Sequence, residues 1–268
     1  MSTEDEFFGD PERIALSRRS LSLWTLVRDN PRFAYYGRLV SLTDPRDDTA
    51  DILAALARLQ GAAVSYFYPA SDAPALFATL EARGFATDRH EHYLGGEEAL
   101  IASRKVLGAQ ALPADLNVSA VDSVTPGQLV RAIAELSQSC DVMPVPGAFM
   151  RGQMRPGVCL VATDSSGRPV ATASSYVMHH PASPRATDVF WGMLATRQDR
   201  RGEKIGLLLG ARAIVHMWEN HGARGFMTGV RANNTSSKAL CSRLGVRATT
   251  WIYAHCIDRS IFAGTITK

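Results

Sequence analysis

Residues 197–206 read Arg-Gln-Asp-Arg-Arg-Gly-Glu-Lys-Ile-Gly, and three leucines follow them. The segment 188–196 before them has strand character, and 205–219 after them has helical periodicity. A strand that feeds a helix through a short basic turn belongs to a sheet flanked by helices, which narrows the fold at once. The same unit narrows the chemistry. The first amides of a helix have no intrahelical partner, and the helix dipole favours negative charge beside them. Arg197, Arg200, Arg201 and Lys204 add charged donors, and Gly202 and Gly206 let the backbone approach closely. A phosphate-bearing cofactor is the expectation, with a solvated surface loop as the competing reading. Neither common nucleotide signature fits. No Ser or Thr follows Lys204 to hold magnesium, and two glycines do not make a dinucleotide fingerprint.

A chain of 268 residues is long enough for one large or two small modules. Its 46% hydrophobic and 21% charged content is that of a soluble globular protein, and no apolar run approaches the roughly 20 residues of a membrane helix. The acidic start lacks an apolar signal segment, and Cys140, Cys159, Cys241 and Cys256 are scattered. No disulfide framework or metal site is expected, and the reading is cytoplasmic. A net charge of +3 argues against nucleic acid.

A linker-like stretch, Leu112-Pro113-Ala114-Asp115, separates two regions. Beyond it, strands are expected over 117–121, 158–163, 169–178, 188–196, 225–230 and 249–257. Helices are expected over 126–139, 205–219 and 234–244, with Thr125 as an N-cap for the first. A glycine turn at 164–167 joins two of the strands, and 140–156 reads as a loop or short irregular helix. The fold class is therefore α+β, with α/β-like order and one mixed central sheet. The first region offers strands at 33–42, 63–69 and 87–93 and helices at 49–59 and 74–82. Its helix ending at Gly84 parallels the one ending at Gly245, which suggests a weak internal repeat. The turn equivalent to 197–206 would be Asp44-Pro45-Arg46-Asp47-Asp48, whose carboxylates would repel a pyrophosphate. The expected division is 1–110, without a cofactor site, and 115–268, with one.

These elements resemble the GNAT superfamily of acyl-CoA-dependent N-acyltransferases. There a strand leads into an Arg/Gln-x-x-Gly-x-Gly/Ala turn, whose place is taken here by Asp199-Arg200-Arg201-Gly202-Glu203-Lys204-Ile205-Gly206; Gly202 and the Ile205-Gly206 sequel match, while Asp199 and Lys204 depart from the usual residues. A later family pattern is met by Asn234, Ser237, Arg243 and Gly245. The resemblance implies acetyl-CoA as cosubstrate, held by Arg197, Arg201, Gly202, Glu203, Lys204, Ile205, Gly206 and Leu207. The backbone of Leu194, Ala195 and Thr196 would run beside the pantetheine arm. Asn234, Ser237 and Lys238 would complete the cofactor site. It also implies transfer to the primary amine of a small molecule or amino acid by direct attack in a ternary complex. A non-catalytic acyl-CoA-binding module is the alternative, and a homodimer is compatible with either.

Acyl transfer needs a deprotonated amine and a proton for the leaving thiolate. Cys241 stands where the family often has a tyrosine acid, with core packing as its other reading. Asp188 is the candidate base, against a role as a strand-edge residue; His179 and His180 end the preceding strand. Asp141, Met143 and Phe149 are expected to contact the acceptor, with Arg151 as a second polar anchor.

Overall fold

The computed structural model describes residues 6–264. The chain opens with helix α1 (Pro11–Val27), which Asp10 caps by accepting from the Arg13 amide, with proline in the first turn. Then follow β1 (Phe33–Ala34), β2 (Ser41–Leu42), α2 (Thr49–Gln60), β3 (Ala62–Pro69), α3 (Ala73–Ala82), β4 (Ala86–Gly95) and α4 (Glu97–Ala109). The second region holds β5 (Asn117–Ala120), α5 (Gly127–Ser139), the single turn α6 (Gly147–Met150), β6 (Gly157–Thr163), β7 (Pro169–Val177) and β8 (Asp188–Thr196). It continues with α7 (Ile205–His221), β9 (Gly225–Val230), α8 (Thr235–Arg243) and β10 (Arg247–Ile257).

All ten strands form one mixed sheet in the order β1-β2-β3-β10-β4-β9-β8-β7-β6-β5. The six strands from β2 to β8 in that order repeat themselves about the β10–β4 pair. β2 runs parallel to β3 with α2 between them in the chain, and β8 runs parallel to β9 with α7 between them. α3 then leads from β3 to β4, and α8 leads from β9 to β10. The last strand of each unit has crossed to the other unit's side, so that β10 lies between β3 and β4, and β4 between β10 and β9. The repeat is thus visible as geometry, and the two halves close each other's sheet.

Two main apolar clusters cross this division, Val130 and Ile133 of α5 joining the first and Tyr93 and Ala99 the second. One gathers α1, α2 and the strands beside them together with Phe149, Met150 and Phe190. The other packs the buried face of α7, including Leu207, Leu209 and Ile214, against Val158, Val170 and Trp191. Helix α7 can lie so flat because its leucines and alanines present an apolar face wide enough for three strands.

Three local expectations need correction. Thr125 does not cap α5; its hydroxyl donates to Asp122, and Pro126 holds the cap position without a side-chain bond. Helices α1 and α4 were not foreseen. The strand expected over 33–42 is instead two short strands paired antiparallel, Phe33 with Leu42 and Ala34 with Ser41. Gly37, at φ 101°, reverses the backbone between them. That reversal carries Tyr36, Arg38 and Leu39 into a cleft.

Candidate acyl-transfer cleft

β8 and β9 pair only at Asp188–Gly225, Val189–Phe226 and Phe190–Met227, and then they part. The divergence opens a cavity of about 1100 Å³ that extends past Gly192 and Leu194 on one wall and Thr228 to Arg231 on the other. On its outer side β8 carries a bulge. Thr172 faces Ala195 and Ser174 faces Gly192, so β8 holds one residue more than β7 over that interval. The extra residue takes positive φ at Met193 (53°), and one peptide unit is left out of the ladder at the cleft wall. A bulge next to a gap in a sheet leaves backbone donors for a ligand that runs along the strand.

The cleft mouth is the turn before α7. Lys204 occupies the helix N-cap position in the left-handed region (φ 63°), and no side chain caps the helix. That geometry accounts for the smaller residue usual there, since a left-handed residue with a β-carbon is strained. The amides at the start of α7 therefore face the cleft without an internal partner, and Gly202, Lys204, Ile205, Gly206 and Leu207 line it. The arginines divide their work. Arg197 bonds Asp199 (2.7 Å) and Asp164 (3.0 Å), tying the turn to the 164–167 hairpin. Arg200 bonds Glu203 (2.7 Å) and Asp115 (2.8 Å), tying it to the linker. These pairings hold the carboxyls of Asp199, Asp115 and Glu203 below the usual range, chiefly by hydrogen bonding. Arg201 donates to the Thr196 carbonyl and lies beside the Cys140 sulfur, with no carboxylate among the described residues. Arg201 and Lys204 are the cations left for an anion.

Asn234 caps α8, its side chain accepting from the Ser237 amide at 3.1 Å. Both residues line the cleft, whereas Lys238 is paired with Glu91 at 2.8 Å and does not. Cys241 borders the cleft but is buried, and burial pushes its thiol up to about 12. A thiol near 12 is a weaker acid than the ordinary thiol, near 8.5, that it would have to protonate. The packing reading of Cys241 prevails on that ground.

The inner end of the cleft is built by both regions, with Tyr36, Arg38, Tyr66 and His90 from the first and Phe190, Tyr253 and His255 from the second, and it is polar. Tyr36 stacks on Phe190 with ring centroids 4.0 Å apart. The Tyr66 hydroxyl accepts from Ser41 at 3.2 Å, and its ring meets that of Tyr253 edge-on at 4.6 Å. The Tyr253 hydroxyl has no partner. The rings of His90 and His255 lie 4.6 Å apart on neighbouring strands. Burial lowers both, His90 to about 4, so each is neutral at pH 7 with an unpartnered Nε2. Arg38 reaches this chamber from the loop after β1. None of these residues was singled out by sequence. The available signal was alternation: Asp88, His90 and His92, and likewise Tyr253 and His255, put polar groups on one face of strands that should be apolar there.

Other expected site residues are not brought to the cleft. Asp188 begins β8, about 13 Å of strand from Gly192 at ~3.3 Å per residue. Burial raises its carboxyl, and Arg185 lies 3.7 Å away. Phe149 is core, edge-on to Tyr35 at 5.2 Å. Met143 is buried and contributes only its carbonyl, which accepts from Arg38. Arg151 is buried and bound to Glu6 at 3.0 Å. Ala195, Arg197 and Glu203 also stand outside the lining, whereas Asp141, Leu194 and Thr196 are part of it. Among the described residues no group of acidic, histidine and cysteine side chains could hold a metal, and no helix is long and apolar enough to cross a membrane.

Residues 132–246 match the model of the Acetyltransferase (GNAT) family. A GCN5-related N-acetyltransferase from Kribbella flavida is similar in structure, with a TM-score of 0.57 at 18% identity, covering 91% of this chain and 95% of that one. A tandem GNAT protein from the clavulanic acid biosynthesis pathway gives 0.54 at 16% identity, over 82% and 74%. A Drosophila protein gives 0.56 at 13% identity, over 94% and 90%. At such identities the likeness concerns the fold alone. No curated protein matches the sequence significantly.

Proposed function

We propose that this protein is an N-acetyltransferase, moving an acetyl group from acetyl-CoA to the primary amine of a small molecule or amino acid within a ternary complex. The gap between β8 and β9, with a bulge on its wall and an uncapped helix N-terminus at its mouth, supports this best. The coenzyme's phosphates would meet the α7 amides with Arg201 and Lys204, and its pantetheine arm would run along Gly192 to Thr196. The amine nitrogen attacks the thioester carbonyl carbon, a C–N bond forms, the C–S bond breaks, and the sulfur leaves with the bonding pair. The bulged backbone offers N–H groups to the oxygen that becomes negative. The nitrogen in the tetrahedral adduct is cationic and gives its proton readily, so a neutral imidazole at His90 or His255 suffices to take it, directly or through water. The thiolate is stable near neutral pH and acquires its proton from solvent.

In this reading only the second half, 115–268, holds cofactor, and the first, 1–110, supplies part of the acceptor wall. Thiol release from acetyl-CoA, measured against a panel of amines, amino acids and peptides with coenzyme affinity followed in parallel, is the test. Coenzyme A binding without thiol release on any acceptor sinks the catalytic reading, and failure of coenzyme A to raise the melting temperature sinks the cofactor assignment.

A further inference from the structure

We infer that the acceptor carries a carboxylate, and that Arg38 is the group that binds it; this rests on reading the cleft as a site of acyl transfer. Arg38 is 6% exposed and lines the cleft at its inner end. One terminal nitrogen donates to the Met143 carbonyl, while Nε is buried without a partner. Among the described residues it forms no ion pair. Its guanidinium carbon lies 5.9 Å from the ring centroids of both Tyr36 and Phe190, the stacked pair that fixes the loop position.

The second buried arginine makes the contrast. Arg151, 8% exposed, has both oxygens of Glu6 and two backbone carbonyls. A buried guanidinium is costly unless an anion answers it, and Arg151 is answered from within the chain. Arg38 is not. Its neighbours in the chamber are the hydroxyls of Tyr66 and Tyr253 and two neutral imidazoles, none of which carries charge. Arg13 and Arg231 also line the cleft, bound to Asp10 at 3.0 Å and to Asp88 at 2.7 Å respectively. Asp141 is the acid that does line the cleft. A planar two-oxygen anion suits the fork of a guanidinium held on one side only. One guanidinium without a carboxylate partner, with neutral hydroxyls around it, is a poorer match for a phosphate dianion. The acceptor is therefore an amino carboxylate, its anion on Arg38 and its amine directed toward the thioester.

The probes are the L-amino acids and the ω-amino carboxylates from glycine to 6-aminohexanoate, each paired with its carboxamide and joined by one phosphorylated amine. Binding to the coenzyme A-loaded protein is read by calorimetry and saturation-transfer NMR, and turnover is followed alongside. At least one carboxylate should bind roughly tenfold or more tightly than its amide, the usual scale of a charge-assisted pair. Arg38→Gln should erase that ratio, and Arg38→Lys should retain part of it. Equal binding of carboxylates and amides by the unaltered protein overturns the proposal without any variant, as does the absence of carboxylate binding. So do a preference for the phosphorylated amine and a ratio that survives in Arg38→Gln. The acyl-transfer reading fails separately. Arg38-dependent carboxylate binding without thiol release removes that reading alone, while turnover indifferent to the carboxylate removes only the role of Arg38.

Discussion

The turns that precede α2 and α7 occupy equivalent places in the sheet and have opposite chemistry. Before α7, Arg197 and Arg200 are consumed by carboxylates, and Arg201 and Lys204 remain beside an uncapped helix. Before α2, Asp48 takes both terminal nitrogens of Arg32 at 2.7 and 2.9 Å, Asp44 takes Arg46, and the Thr49 hydroxyl accepts from the Arg46 amide. That turn is closed on itself. A helix N-terminus after a parallel strand is common to both, so geometry alone does not make a coenzyme site. The number of charges that the chain leaves unpaired decides it.

The largest expected effect comes from giving the second turn the character of the first. Arg201→Glu with Lys204→Asp should weaken coenzyme A by roughly 100-fold, about 2.7 kcal/mol, as read by calorimetry. Aspartate tolerates the left-handed position of Lys204, so the helix should persist. The converse pair, Asp44→Ala with Asp48→Ala, should add no coenzyme site; a second coenzyme bound per chain would break the comparison. Next in size is Gly192→Val. A β-carbon at 192 would meet the Phe190 ring at 3.1 Å and the Thr228 hydroxyl at 3.2 Å, at a φ of 155°. Filling the gap there should lower turnover roughly tenfold or more and cost on the order of 1–3 kcal/mol of stability. Turnover that survives would mean the gap does not hold the reacting group.

The seam between the halves also carries a pH signature. His92 and His179 sit against Phe67, and burial, more than the Arg185 charge, lowers each to about 3. A base with a depressed folded pKa binds more protons when unfolded, so its contribution is fully present above about 6.5 and is lost as pH falls toward 3. Between pH 6.5 and 5 the loss should approach about 2 kcal/mol for each of the two. The melting temperature should drop on acidification over that range, and His179→Leu should flatten the slope; an unchanged slope would clear His179. The smallest effect is expected from Cys241→Ala. Coenzyme affinity should hold and turnover should change by less than about threefold, because a thiol near 12 is no proton donor for the leaving group. A rate lowered tenfold would reinstate it as the acid.

What could be read from the sequence was local. The strand, turn and helix at 188–219, the 164–167 hairpin and the helix that starts at Asn234 are each written in neighbouring residues, and the structure places them where the pattern put them. The α1 start was equally legible in Asp10-Pro11-Glu12 and was passed over. The pairing of Arg197 and Arg200 could not be read, because their partners Asp164 and Asp115 come from distant segments. The inner chamber was hidden for the same reason. Tyr36 and Arg38 lie on a segment that reads as a strand, and only the reversal at Gly37 delivers them to residues from β3, β4 and β10. Candidate acids and bases sought near the turn before α7 did not include His90 and His255, which the proposed reaction draws from β4 and β10.

The crossing of β4 and β10 has a consequence for how the molecule is made. When synthesis has delivered everything through β4, the first half still has an open slot between β3 and β4. Only β10, which pairs Ile257 with Ala62 on one side and with Ala86 on the other, can close it. Contacts of such long sequence separation form slowly, and an unfilled slot between strands invites pairing with other chains. The nascent first half therefore exposes the unpaired edges of β3 and β4 until the second half emerges, and neither half cut free at the linker should reach a native sheet.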